Sequence, residues 1–170
     1  MSKQYFLGVD PGTGGGLAAL TSDNKVYAVQ RMPDTKQEIY EWFRMFTHLE
    51  SYCMLEQVSG YIGEEHPGSR MFEFGKNYGY LEMSLVACGF KEEIDRADTN
   101  IYSTILPQRW QRGLSLRTKE KGETDTSWKN YLKEEAQQRF PRLKVTRHTA
   151  DALLIAHYCK TIRTALTYKS

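Results

Sequence analysis

Apolar positions in this chain fall first into short unbroken runs and later into patterns spaced by three and four. Tyr5-Phe6-Leu7-Gly8-Val9 is the first run and ends at Asp10-Pro11-Gly12, which predicts a buried strand stopped by a turn. Gly16-Leu17-Ala18-Ala19-Leu20-Thr21 predicts a second strand, Asp23-Asn24 a turn, and Lys25 to Met32 a third strand. Connections this short exclude crossovers, so the three strands are expected to form an antiparallel meander. Ile39, Trp42, Phe43, Phe46 and Leu49 then recur at offsets of 3, 4, 7 and 10, an amphipathic helix. Tyr52-Cys53-Met54-Leu55-Glu56 predicts a fourth strand, central and parallel.

A polar loop from Ser59 to Gly68 leads into a helix over Arg70 to Val86, with Phe74, Tyr78, Leu81 and Leu85 at helical spacing and a stop at Gly89. Ile101 to Leu106 reads as the fifth strand, ended by Pro107, and Trp128 to Arg139 as a helix stopped by Phe140-Pro141. From Thr149 to about Leu166 the chain predicts one long helix, apolar on most sides at first and so largely buried. Three strands, helix, strand, helix, strand, helix, helix is an α/β layout: a mixed five-stranded sheet of three antiparallel strands plus parallel ones, with helices on both faces. No repeat, low-complexity tract or linker divides it, so residues 1–170 are expected to be a single domain.

Composition changes this picture little. With 40% hydrophobic and 26% charged residues, 170 residues suffice for a core without staples. The formal charge of +2 neither demands nor excludes nucleic acid, but charge is unevenly placed. Between Arg109 and Lys133 lie seven basic residues (Arg109, Arg112, Arg117, Lys119, Lys121, Lys129, Lys133) against three acids (Glu120, Glu123, Asp125). Cys53, Cys88 and Cys159 form no CxxC pair and no secretory framework, and read as reduced, mostly buried thiols. No apolar run approaches the ~18 residues of a membrane span. With no leader-like segment before the first strand, the expected compartment is the cytoplasm of a bacterial or phage-infected cell.

Three places could carry chemistry. Asp10 closes an apolar strand, where an acid needs a cation or hydrogen-bond donors unless it merely forms a turn. The glycines after it run into a strand rather than a helix, which removes the helix N-terminus that a dinucleotide-binding loop requires. Glu56 also terminates an apolar strand, and would emerge beside Asp10 if the two strands are neighbours. His148 and Asp151 share one face of the first turn of the last helix, which is too apolar to lie on the surface. Three such acids cannot converge without a counter-charge, because close carboxylates repel and raise each other's pKa. Two Mg²⁺ ions, with Mn²⁺ as a substitute, would resolve this and would suit phosphodiester hydrolysis. His157, inside the same helix, reads as a packed histidine.

Gly8-Val9-Asp10-Pro11-Gly12, Leu55-Glu56-Gln57 and His148-Thr149-Ala150-Asp151-Ala152-Leu153-Leu154-Ile155-Ala156 resemble, in order, the catalytic blocks of RuvC-like Holliday-junction resolvases. Phe74-Gly75-Lys76-Asn77-Tyr78-Gly79, Leu106-Pro107-Gln108-Arg109-Trp110 and Phe140-Pro141 resemble blocks of the phage and organellar branch of that group. The resemblance implies an RNase H-like fold, a homodimer, and a magnesium-dependent endonuclease placing paired symmetric nicks across a four-way DNA junction. It implies Asp10, Glu56 and Asp151 as metal ligands, and His148 as a fourth ligand or as positioner of the attacking water. Expected DNA contacts are Tyr61, Arg70, Lys76, Arg109, Lys119, Lys121 and Lys129. One departure concerns the aromatic wedge that many such enzymes carry three positions after the glutamate: Ser59 stands there, with Tyr61 the nearest aromatic. The stretch Lys91 to Asn100 is longer than the family requires. The competing readings are an RNase H-like nuclease acting on RNA/DNA hybrids or other branched DNA, a junction-binding protein without activity, and an actin-like phosphate binder. The last normally encloses its nucleotide between two domains.

Overall fold

A computed structural model describes residues 3–58, 68–92 and 100–167. The first three strands, β1 (Tyr5–Asp10), β2 (Gly16–Thr21) and β3 (Val26–Arg31), form the expected antiparallel meander. Helix α1 (Lys36–Arg44) follows, opened by a capping box between Thr35 and Glu38. Phe46 is buried in the turn beyond α1 rather than within it. β4 (Ser51–Glu56) then pairs with β1 in parallel. Helix α2 (Gly68–Ala87) leads to β5 (Lys91–Glu92) and β6 (Ile101–Ile105). Three helices complete the described chain: α3 (Pro107–Gly113), α4 (Asp125–Arg139) and α5 (Arg147–Thr167).

The strand order is β3-β2-β1-β4-β6-β5, a mixed sheet of six strands rather than the expected five. The extra strand, β5, is only two exposed residues, Lys91 and Glu92, paired parallel to β6. A pair of charged residues carries no periodicity, so nothing in the hydrophobic pattern marks it. Helix α3 is a second addition to the expected order. Pro107 ends β6 as expected, but it also occupies the first turn of a new helix, where its missing N–H costs nothing.

Strand alternation divides the core between two faces. Phe6, Ala18, Leu20, Met54 and Ile105 point to one side, where α3, α4 and α5 cover them. Tyr5, Leu7, Val9, Leu17, Cys53 and Leu55 point to the other, under α1 and α2. The three cysteines are free and buried, as expected.

Gly8 decides how closely α5 lies on β1. A Cβ at Gly8 would stand 2.2 Å from the Ala152 carbonyl oxygen and 2.3 Å from the Ala156 nitrogen. Only glycine admits the helix backbone at that distance. Gly8→Ala is therefore expected to destabilise the protein by at least ~2 kcal/mol, since neither backbone can yield cheaply. A denaturant titration showing an unchanged midpoint would contradict this close approach.

Candidate active site

The same alternation that places Phe6 and Gly8 under α5 places Asp10 there too, and Met54 carries Glu56 to that side. Val9 is in register with Leu55 across the parallel β1–β4 pair, so the two carboxylates leave the same sheet edge on neighbouring strands. Parallel neighbours lie only about 4.8 Å apart. Asp151 projects from the beginning of α5, one residue before the Ala152 that touches Gly8. Asp10 is 6% exposed and Asp151 3%, while Glu56 is part-buried.

Two other side chains complete the cluster. The Lys129 ammonium, from α4, is hydrogen-bonded to Asp151 Oδ2 and lies 3.8 Å from Asp10 Oδ2. Trp110 of α3 donates its indole N–H to Glu56 Oε2 at 2.7 Å. His148 lies at the rim, with Nδ1 2.9 Å from the Gly14 carbonyl oxygen. A carbonyl only accepts, so Nδ1 carries the proton and the neutral ring has its lone pair on Nε2. A metal-ligating histidine commonly has this arrangement.

Electrostatically the cluster holds more negative charge than it can neutralise. Burial, followed by the charge of Asp151, pushes the Asp10 carboxyl well above the usual carboxylate range, against the pull of Lys129. Burial and Asp151 likewise push Glu56 up to about 7, although the Trp110 N–H and Lys129 draw it down. Burial alone would lower the Lys129 ammonium, but Asp10 and Asp151 outweigh it and raise it. One cation thus faces three acids, and Asp151 Oδ1 is buried without a hydrogen-bond partner.

An orphaned carboxylate oxygen, raised carboxyl pKa values and a histidine with a free Nε2 fit a hard divalent cation. Among the described residues, no three His, Cys, Asp or Glu side chains already stand close enough together to hold an ion. Lys129 supplies positive charge between two of the acids.

A pH dependence follows for protein stripped of divalent ions. Glu56 binds its proton more tightly folded than unfolded, from an ordinary value of 4.5 to about 7, and Asp10 shifts in the same direction. At these two groups the folded state holds more protons than the unfolded state across that window, so they make stability fall as pH rises from about 4.5 through 7, opposed near pH 6.5 by His157, whose burial lowers its imidazole. In EDTA the melting temperature should be several degrees lower at pH 8 than at pH 5.5. Excess Mg²⁺ should recover most of the loss at pH 8 and little at pH 5.5. A melting temperature that rises over this interval in EDTA would refute the charge excess.

The structure distributes the other expected residues unevenly. Lys129, one of the expected DNA contacts, turns its ammonium between Asp10 and Asp151. Lys119 is exposed and pairs with Asp125 at 2.5 Å, and Arg109 and Lys121 are exposed. Lys76 pairs with Glu73 on α2, and Arg70 is exposed at the start of that helix. Tyr61 lies outside the described residues. His157 packs edge-on against Phe140, as expected of a packed histidine.

Trp110 and Asn77 are site residues that the sequence alone does not reveal. Asn77 Oδ1 accepts the Gly12 N–H at 2.9 Å and so ties α2 to the turn beyond Asp10. Each lies in a block singled out for its resemblance, but only the three-dimensional fold shows what it touches.

No protein-family model and no curated protein sequence matches the chain. Solved structures do. The fold is RNase H-like, a mixed sheet whose antiparallel and parallel strands carry helices on both faces. That fold is similar to the one of Thermus thermophilus RuvC in complex with a Holliday junction substrate, with a TM-score of 0.59, 12% identity and 97% of each chain covered. It is also similar to a second T. thermophilus RuvC structure, with a TM-score of 0.54, 14% identity and 95% of this chain and 96% of that one covered.

Proposed function

We propose that this protein is a divalent-metal-dependent DNA endonuclease that resolves four-way junctions by paired nicks, acting as a homodimer. The observation that carries the reading is the meeting of Asp10, Glu56 and Asp151 at one sheet edge, with one buried carboxylate oxygen unpartnered. The likeness of the fold to that of a junction-bound RuvC supports the choice of substrate.

In this reading Asp10, Glu56 and Asp151 would hold two Mg²⁺ ions, with Mn²⁺ as a substitute. Bound ions of this kind lower the pKa of a water and offset charge on the leaving oxygen during in-line displacement at phosphorus. The residues of the chain prepare the reaction. The three carboxylates fix where the cations reside, and their shared charge favours such ions over water. His148, its Nδ1 proton committed to Gly14, keeps Nε2 available as a ligand or as a hydrogen-bond acceptor for the nucleophilic water. Lys129 offsets the charge of Asp10 and Asp151, and its ammonium would serve as a cation for the scissile phosphate.

Substrate would be held over the α3–α4 side. There a cleft of about 680 Å³ has Arg112, Arg117, Lys119 and Gln108 among its lining residues and no acid. Lys119 and Lys121 are expected to bind phosphates, and removing either ammonium should reduce the log–log salt slope of duplex-arm binding by ~0.9. A Lys119→Ala, Lys121→Ala double variant with an unchanged slope would mean that both are merely solvated.

The deciding experiment compares a synthetic four-way junction, a linear duplex and an RNA/DNA hybrid at equal salt with Mg²⁺. Symmetric nicks confined to the junction are expected. Equal or faster cutting of the hybrid would transfer the assignment to that class of nuclease, and binding without any nicking would leave a junction-binding protein.

A further inference from the structure

Trp110 holds a position that core packing alone does not require. It is 0% exposed, the largest of the fully buried side chains, yet it belongs to a seven-residue helix whose other members are mostly polar. An indole N–H can only donate, and a donor buried this deeply needs an acceptor. Here that acceptor is Oε2 of Glu56.

The fold fixes this meeting from both ends. Ile105, the last residue of β6, is in register with Glu56 in the parallel β4–β6 pair. The Gln57 N–H donates to the Ile105 carbonyl at 2.7 Å, fastening the end of β4 to the end of β6. After Leu106, Pro107 starts α3, which turns back over that edge and lowers Trp110 onto the carboxylate. At its far end Gly113 rests against the ring of Tyr158 on α5; a Cβ there would stand 2.1 Å from the ring. That close approach sets how α3 lies on α5, and with it the position of the backbone that carries Trp110.

We propose that Trp110 is a positioning residue for Glu56: its N–H engages Oε2, leaving Oε1 as the carboxylate oxygen free to face a cation or water. The assignment rests on the function proposed above and extends it to α3. Phenylalanine would keep an apolar ring there, with a cavity where the second ring stood, and leave Glu56 without this donor. The charge-assisted bond also favours the ionised carboxylate, in opposition to burial and to Asp151. It accounts for the Leu106-Pro107-Gln108-Arg109-Trp110 block: a strand end, a helix start and a buried donor at fixed spacing.

The test removes the N–H, and in one of its two variants also keeps the shape. Trp110 is replaced by phenylalanine and, site-specifically, by benzothienylalanine, whose sulfur takes the place of the indole N–H. Trp42→Phe serves as the control for simple loss of a buried indole, since Trp42, on α1, packs against the opposite face of the sheet. Three quantities are read: single-turnover nicking of pre-bound junction, junction Kd in EDTA, and Mn²⁺ binding by calorimetry without DNA. Both Trp110 variants are expected to nick at least thirtyfold more slowly and to bind Mn²⁺ about tenfold more weakly, with junction Kd within twofold. Trp42→Phe should leave all three unchanged. A benzothienylalanine variant with wild-type nicking and wild-type Mn²⁺ affinity would overturn the proposal, and this variant decides the matter if Trp110→Phe does not fold. Should the wild type nick no junction at all, the endonuclease reading fails, while the Mn²⁺ titration still reports whether Trp110 orders Glu56.

Discussion

Asp10→Asn is expected to reduce junction nicking in Mg²⁺ at least 100-fold while junction binding in EDTA stays the same or tightens. The substitution preserves size and most hydrogen bonding but removes one carboxylate from the edge where Asp10, Glu56 and Asp151 meet. Losing only an outer-shell partner of a metal typically costs 10–100-fold, so losing a direct ligand should cost more. Binding should not suffer, because DNA is a polyanion and the change removes negative charge from the surface that receives it. Metal-free stability sharpens the test. Burial and Asp151 raise the proton affinity of Asp10, which means that the ionised carboxylate destabilises the folded state at pH 8. Asparagine should relieve that cost, so the variant should melt higher than wild type in EDTA at pH 8 and lose the gain that Mg²⁺ gives the wild type. A variant that nicks within a fewfold of the wild-type rate would remove Asp10 from the catalytic set.

The acids were legible because strand ends are legible. The apolar run Tyr5 to Val9 and the run Tyr52 to Leu55 each stop at a carboxylate, and the period of two then places Asp10 and Glu56 on the α5 side. Asp151 was legible from the apolar character of its helix, which left a charged side chain only a polar interior to enter. Lys129 was not. Its sequence neighbours include exposed Asp125 and the part-buried Asn130, so it reads as one more surface cation in a basic stretch. What turns it inward is the packing of α4 on α5, with Trp128, Leu132 and Ala136 all in the shared core. Trp110 was hidden for a related reason: seven residues, Pro107 to Gly113, are too few to show helical periodicity, and its partner lies 54 positions away. β5 was invisible because its pairing lies in backbone hydrogen bonds rather than in side-chain pattern. Local pattern thus marked the carboxylates, and tertiary packing placed Lys129 and Trp110 against them.

Gly79→Arg is expected to convert a dimer into a folded monomer that binds junctions more weakly and no longer makes coupled nicks. Resolution of a four-way junction needs two opposed cuts, so one active site must be repeated about a two-fold axis. Helix α2 offers the surface for this. Phe72, Met83 and Val86 are 66%, 63% and 51% exposed, large apolar side chains on a helix whose other face carries the buried Leu81 and Leu85. Counted from Phe72, the positions Gly75, Gly79, Met83 and Val86 fall at offsets of 3, 7, 11 and 14, a single stripe. A Cβ at Gly75 or Gly79 would meet nothing within 4 Å, so the two glycines leave a shallow notch between Phe72 and Met83 that a second helix backbone could enter. Arginine at position 79 would fill that notch with charge without touching the core, so the monomer should keep its melting temperature within a few degrees. The helix also connects to the site, because Asn77, on another side of it, holds the Gly12 N–H beyond Asp10. Sedimentation velocity at tens of micromolar, with and without junction DNA, should show a dimer for the wild type and a monomer for the variant. On a junction held in a supercoiled cruciform, which loses its substrate geometry after one uncoupled nick, the variant should yield nicked circles where the wild type yields linear product. A wild type that sediments as a monomer under both conditions would overturn the interface and the paired-nick mechanism together.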